Sequence, residues 1–234
     1  EAIFGFHGWP YLPVGAIGVK DGPMMASADW FRVVVQGRGC HGADPAAGVD
    51  PILVAAHITT ALQSIVSREI DPRESAVVTV GLIQGGFTTN IIPDNAEIKG
   101  TIRALSEGVR NAVLRAVERI AVSTAAAFRA TATVEFGADS YIPLTNDPAM
   151  TDLARTAVKD AFGPEALVEI EQPSMASEDF AYYLNEVPGS YLRLGIRAEG
   201  ADIIPLHSAR FDFNDDALET GTLLFAALAL QALR

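Results

Sequence analysis

Between Asn95 and Leu105 one residue type alternates with the other: Ala96, Ile98, Gly100 and Ile102 are small or apolar, and Glu97, Lys99, Thr101 and Arg103 are polar. A period of two puts the first set on one face of a strand and the second on the other. Such a strand is half-buried and needs helices or a second sheet on its apolar face. The flanking segments meet that need. Glu107 to Phe128 carries Val109, Val113, Val117, Ile120 and Ala121 at helical spacing. Before it, Asp50-Pro51 reads as an N-cap and first helical position, and Ile52, Ala55, Ala56, Ile58, Thr59, Leu62, Ile65 and Val66 follow at the same period. Ser27–Gly37, Ala76–Gln84 and Thr131–Phe136 are rich in β-formers and end at glycines or polar residues.

The resulting order is β-α-β-β-α-β, the split βαβ or ferredoxin-like sandwich, over residues 26–139. Residues 1–25 precede it. Residues 140–234 read as α/β: a helix capped by Asn146-Asp147-Pro148 and running to Phe162, a short strand at Leu167–Ile170, a helix opened by Ser177-Glu178-Asp179, a strand at Ser190–Gly195, and a closing Ala- and Leu-rich helix from Asp215 to Leu233. This tail has too few strands to complete a mostly parallel sheet, even with the first 25 residues. The fold class expected is therefore a portion of an α/β catalytic-type domain with an inserted α+β ferredoxin-like (βαββαβ) lid. The opening at Glu1, which is not a methionine, is compatible with a removed leader, a cut chain or a piece that begins inside a domain.

Charge narrows the partners. Seventeen basic and 29 acidic residues give a net charge of −12, which argues against nucleic acid and anionic membrane surfaces. No apolar run approaches the roughly 20 residues of a membrane span, and no signal-peptide pattern opens the chain. A single cysteine, Cys40, excludes an internal disulfide and fits a reducing compartment, so the cytoplasm is expected.

Four histidines bear weighing. His7 and His207 each follow a short apolar run, where α/β domains place functional groups on loops leaving buried strands. Each reads either as a metal ligand or as a half-buried histidine bonded to backbone. His41 sits among Gly37, Gly39 and Gly42, which imply close approach by another surface. Its neighbour Cys40 is poorly placed as a nucleophile, because adjacent residues on an extended segment point to opposite faces. His57 falls mid-helix and reads as structural. Asn90, in a loop, is a turn former or a substrate hydrogen-bonder. Arg103 is a solvated charge or a carboxylate clamp. Glu178 and Asp179 read mainly as first-turn carboxylates on the helix dipole, with Ser177 as N-cap.

Seven stretches in order resemble the aminoacylase-like zinc peptidase family, in its amidohydrolase branch of hippurate, N-acyl-amino-acid and auxin-conjugate hydrolases. They are Gly5–Pro10, Met25–Asp29, Gly39–Ala43, Val49–Ile52, Asn90–Asp94, Ser174–Tyr182 and Pro205–Ser208. Each is weak alone; their order is specific. The resemblance implies a site for divalent metal (zinc, manganese or cobalt, two ions in a complete enzyme), with His7 and His207 as ligands. It implies a lid that makes a homodimer, and His41 reaching the partner subunit's site to polarise the scissile carbonyl. Asn90 and Arg103 match lid residues that hold the substrate, Arg103 through its carboxylate.

The family's other ligands and its general-base glutamate belong to an earlier segment whose motifs are not in this sequence. Cys40, in the lid motif, does not replace the ligand cysteine. The pattern also departs at Gly8, where asparagine is usual, and at Asp44 and Ala46, where an uncharged residue and a histidine are common. Two readings follow. One is an amidohydrolase of N-acyl amino acids or related conjugates, of which this chain carries part of the site. The other is a non-catalytic, dimerising lid-and-tail remnant.

Overall fold

A computed structural model describes residues 1–233. In chain order, β1 (Ile3–Pro13), β2 (Ile17–Val19) and β3 (Gly22–Met25) come first. Then come β4 (Asp29–Gln36), β5 (Cys40–His41), α1 (Pro51–Ser64), β6 (Ala76–Gly85), β7 (Ile91–Ile92), β8 (Asn95–Ala104), α2 (Glu107–Ala127) and β9 (Thr131–Phe136). The tail holds β10 (Leu144–Asn146), α3 (Pro148–Phe162), β11 (Leu167–Glu169), α4 (Ala181–Glu186), β12 (Gly189–Arg197) and α5 (Ala217–Ala232). Two compact units result: residues 26–143 with 175–177, and residues 1–25, 144–174 and 178–234.

The first unit is a four-stranded antiparallel sheet in the order β6-β8-β4-β9. The alternation along β8 is realised: Ala96, Ile98 and Ile102 are buried, and with Phe31, Val33 and Val35 of β4 they meet Val54, Ala55, Ile58 and Leu62 of α1. Val113, Val117, Ile120 and Ala121 of α2 close the same core. Asp50 caps α1, its carboxylate accepting from the Ile52 and Leu53 amides at 2.9 and 3.3 Å. The opposite face of the sheet is polar. There Arg32 bridges Glu97 at 2.7 Å and Glu135 at 3.0 Å, exposed pairs that contribute little to stability. β4 leads into the β5 segment and α1. It is an inner strand, hydrogen-bonded on both sides, so the free edges belong to β6 and β9.

The second unit is built on a mixed sheet in the order β1-β12-β2-β11. β1 runs parallel to β12 and β11 parallel to β2, while β12 and β2 are antiparallel. One face is dry: Leu192, Leu194, Ile17 and Val19 pack with Ala154 and Val158 of α3 and Leu224 and Leu228 of α5. Asp147 caps α3 by accepting from the Met150 amide at 2.9 Å. Buried Asn146 donates to the Lys20 and Tyr191 carbonyls and accepts from the Tyr191 amide, tying β10 to β12.

Two expectations are corrected. His7 does not sit on a loop leaving a strand; it lies within β1, which continues to Pro13. The proline pair Pro10 and Pro13 disguised this strand, which among the described residues pairs only with β12. Ser177-Glu178-Asp179 does not open a helix either. α4 begins at Ala181, and its cap residue Phe180 makes no capping bond. Among the described residues no helix is long and apolar enough to cross a membrane.

Two substitutions separate cap from core. Asp50→Ala removes the two capping bonds and should cost about 1 kcal/mol. Leu62→Ala opens a cavity under α1 and should cost about 3 kcal/mol. Urea unfolding of the two variants measures both, and equal losses would overturn this division.

Candidate active site

The lid sets His41 on a small ribbon. β5 pairs antiparallel with β7, His41 opposite Ile91 and Cys40 opposite Ile92, and the Gly42 amide donates to the Asn90 carbonyl at 2.8 Å. His41 and Asn90, far apart in sequence, are thereby neighbours. The close approach that the glycines allow is made by the ribbon itself. A Cβ on Gly42 would lie 3.1 Å from the Asn90 carbonyl oxygen, and one on Gly39 would lie 3.0 Å from the Ile92 carbonyl oxygen. The Gly39 amide donates to Asp94 Oδ1 at 2.8 Å. Cys40 is half-buried against Gly48 and His41 is exposed, so no Cys–His pair forms.

The His41 ring is oriented by its backbone. Nδ1 accepts from the Ala43 amide at 3.0 Å, which requires a lone pair there and leaves the proton on exposed Nε2. Among the described residues no acceptor is paired with that N–H. Thr88 donates to Asn90 Oδ1 at 3.2 Å, which leaves the Asn90 amide nitrogen as a second donor. Two donors at one ribbon tip are suited to an oxygen that gains negative charge.

Arg103 lies at the other end of the lid. Along β8 it is eight residues beyond Asn95, the end next to the ribbon, so about 26 Å separates those positions at about 3.3 Å per residue. Arg103 Nη1 donates to Ser177 Oγ at 3.3 Å, and its guanidinium carbon is 6.0 Å from the Trp30 ring centre. Ser177, read in the sequence as a helix cap, is thus the partner of Arg103. Within one lid, Arg103 does not share a site with His41 and Asn90.

In the sheet unit, His7 Nδ1 donates to the Gly8 carbonyl at 2.7 Å. This fixes the tautomer with the lone pair on Nε2, the state a metal ligand requires. His207 sits in an exposed turn with φ +63°, a left-handed conformation unusual for a residue with a side chain. His57 stacks on Phe128 at 4.5 Å and carries no chemistry. Among the described residues no three His, Cys, Asp or Glu side chains converge as a metal site. The chemistry of His7 fits a metal; the set around it is incomplete within this chain.

Sequence reasoning passed over one cluster. Glu178 accepts from the Tyr191 hydroxyl at 2.5 Å, and burial first, then this bond, pushes the Tyr191 phenol well above its ordinary value. Phe180 packs on Tyr191 with ring centres 5.1 Å apart. Arg193 lies beside His7 in the strand register. Its stacking on Trp9, at 4.0 Å, had no local signal because the two residues meet only across the β1–β12 pair.

Comparison with known proteins places this geometry. Residues 26–128 match the family described as the peptidase dimerisation domain. An N-acetyl-L-cysteine deacetylase of Bacillus subtilis is 43% identical over 195 residues, 83% of this chain and 46% of the relative. An IAA-amino acid hydrolase of Arabidopsis thaliana, ILR1-like 4, is 35% identical over 237 residues, 100% of this chain and 54% of the relative. A dinuclear metal-binding peptidase of the M20 family from Bacillus subtilis superposes with a TM-score of 0.80 at 33% identity, covering 100% of this chain and 57% of that one. The chain is therefore similar over its whole length to a peptidase of the M20 family, with residues 26–128 matching the peptidase dimerisation domain. It spans about half the length of these relatives.

The ribbon offers a direct test. A Cβ on Gly48 would lie 2.4 Å from Cys40 Sγ and 2.6 Å from the Arg38 carbonyl oxygen. Gly48→Ala should therefore displace β5. Amide exchange at Gly42, bonded to Asn90, should accelerate at least tenfold while the amides of α2 stay protected. Unchanged exchange at Gly42 would show that the ribbon absorbs the methyl group.

Proposed function

We propose that this chain is the lid and the C-terminal part of the catalytic domain of a metal-dependent amidohydrolase, acting on the amide bond of N-acyl amino acids or related conjugates. Residues 26–139 form the lid, of the ferredoxin-like class by its strand order, and residues 1–25 and 140–234 belong to the catalytic part. The observation that carries the reading is the His41–Asn90 ribbon, where His41 Nδ1 and Asn90 Oδ1 are occupied and the two N–H donors have no partner among the described residues.

In this reading His41 Nε2–H and the Asn90 amide hydrogen-bond the scissile carbonyl oxygen and strengthen their hold as it becomes an oxyanion. Arg103, held by Ser177, binds the substrate carboxylate. His7 and His207 hold divalent metal (zinc, manganese or cobalt, two ions in the complete site) with ligands from beyond this chain. When bound, the metal supplies Lewis-acid polarisation of the carbonyl. The cytoplasm suits a chain with one unpaired cysteine.

The distance along β8 between the ribbon end and Arg103 supports His41 serving a partner subunit while Arg103 serves its own. A homodimer through the lid supplies that partner. Its surface is proposed at the free edge of β6, where Leu82 and Ile83 are 40% and 49% exposed, with Ile52 and Leu53 of α1. A second reading, a dimerising remnant without turnover, draws on the incomplete metal set.

Three measurements bear on this. With excess zinc, manganese or cobalt, the chain by itself should hydrolyse N-acyl amino acids at less than about a thousandth of an ordinary enzymatic rate, since a catalytic metal needs about three protein ligands. Light scattering at high micromolar concentration should show a dimer, and Ile83→Asp should shift it to monomer. In an enzyme completed with the missing ligands, His41→Ala and His207→Ala homodimers should each be inactive, and randomly mixed subunits should recover roughly a quarter of wild-type activity. No recovery after verified subunit exchange would reject action in trans.

A further inference from the structure

Arg193 stands out among the buried residues. In parallel strands, residues in register share a face, so Tyr191 lies beside Gly5, Arg193 beside His7, and Gly195 beside Trp9. This is the sheet face opposite the dry core, where Phe6 and Leu194 pack toward α5. Arg193 is 6% exposed, yet its Nε and Nη2 atoms are buried with no hydrogen-bond partner among the described residues. Its guanidinium carbon lies over the Trp9 ring, 4.0 Å from the ring centre. Tyr191 acts on it electrostatically, but the Tyr191 hydroxyl is already committed to Glu178.

A guanidinium remains charged in a protein, and a buried charge left unpaired is strongly unfavourable. Burial, partly offset by Tyr191, pushes Arg193 down to about 10. Stacking on an indole compensates a cation in part, and it does not satisfy N–H donors, which lie in the guanidinium plane. The Nε–Nη2 edge is one of the two edges of this group that match a carboxylate with two parallel bonds.

We propose that the Nε–Nη2 edge of Arg193 is a binding site for the carboxylate of a small molecule, beside the Trp9 ring that lies over the guanidinium. Trp9 is half-buried, and it meets its other aromatic neighbours, His7 and Tyr11, with ring centres at 6.4 and 5.6 Å. Because its ring lies 4.0 Å from the guanidinium carbon, its emission reports on what the free edge binds. Arg103 belongs to the other compact unit, and the site does not rest on the hydrolytic reading.

The chain has two tryptophans, so Trp30→Phe leaves Trp9 as the sole indole emitter. In that background, acetate, benzoate and N-acetylglycine should each produce a saturable change in Trp9 emission at constant ionic strength. Acetamide, benzamide and N-acetylglycinamide should produce none. Arg193→Met should weaken the response at least tenfold, and Arg32→Met, which removes an exposed guanidinium of the other unit, should leave it unchanged. Circular dichroism establishes that each variant is folded; if Arg193→Met is not, Arg193→Lys keeps the charge, loses the fork and should weaken binding in the same direction. An equal response to the amides, a response that survives loss of the fork, or no response to any carboxylate would overturn the proposal. Because the readout is binding, its failure leaves the amidohydrolase reading standing, and failed turnover leaves this site standing.

Discussion

The parallel pairing of β1 with β12 is the interaction on which the sheet unit depends. It joins strands from opposite ends of the chain, with the whole lid inserted between them. A parallel neighbour cannot be reached by a hairpin, so the ends must be brought back by a long excursion. Two glycines let the backbones close. A Cβ on Gly189 would lie 2.1 Å from the Ile3 carbonyl oxygen, and one on Gly195 would lie 1.8 Å from that of Pro13. Once the register is set, the two sheet faces separate. One gathers Leu192, Leu194 and the helices α3 and α5; the other carries His7, Trp9, Tyr191 and Arg193.

The lid works on a different constraint. Its four strands and two helices form their own core, so the sheet is rigid enough to hold groups at a fixed spacing. β8 is the ruler. At one end the ribbon presents His41 and Asn90, and at the other Arg103 is braced by Ser177. A single lid cannot bring these groups onto one small substrate. On the proposed reading, the two ends would serve different sites of a dimer.

Legibility in the sequence followed locality. The elements of the lid were readable because period, cap and turn act within a few residues; Asp50 and Asp147 cap the helices they were expected to cap. The candidate residues His7, His41, Asn90, Arg103 and His207 were likewise picked out by local motifs. The failures share one cause. Ser177 and Glu178 have the composition of a helix start, but long-range partners, Arg103 and Tyr191, claim their side chains. β1 contains Pro10 and Pro13, which argue against a strand until its pairing with β12 is known.

The sequence by itself determined the alternation of β8, the amphipathic faces of α1 and α2, the helix caps, and the identity of the groups able to do chemistry. Those depend on periodicity and side-chain type, which any short window contains. Tertiary structure alone decided that β4 is an inner strand, that His41 and Asn90 are neighbours while Arg103 is remote, and that Arg193 lies beside His7 under Trp9 with two donors unpaired. Each of these is a matter of register between strands distant in the chain. Register is set by the packing of the whole sheet, so no local window of residues encodes it.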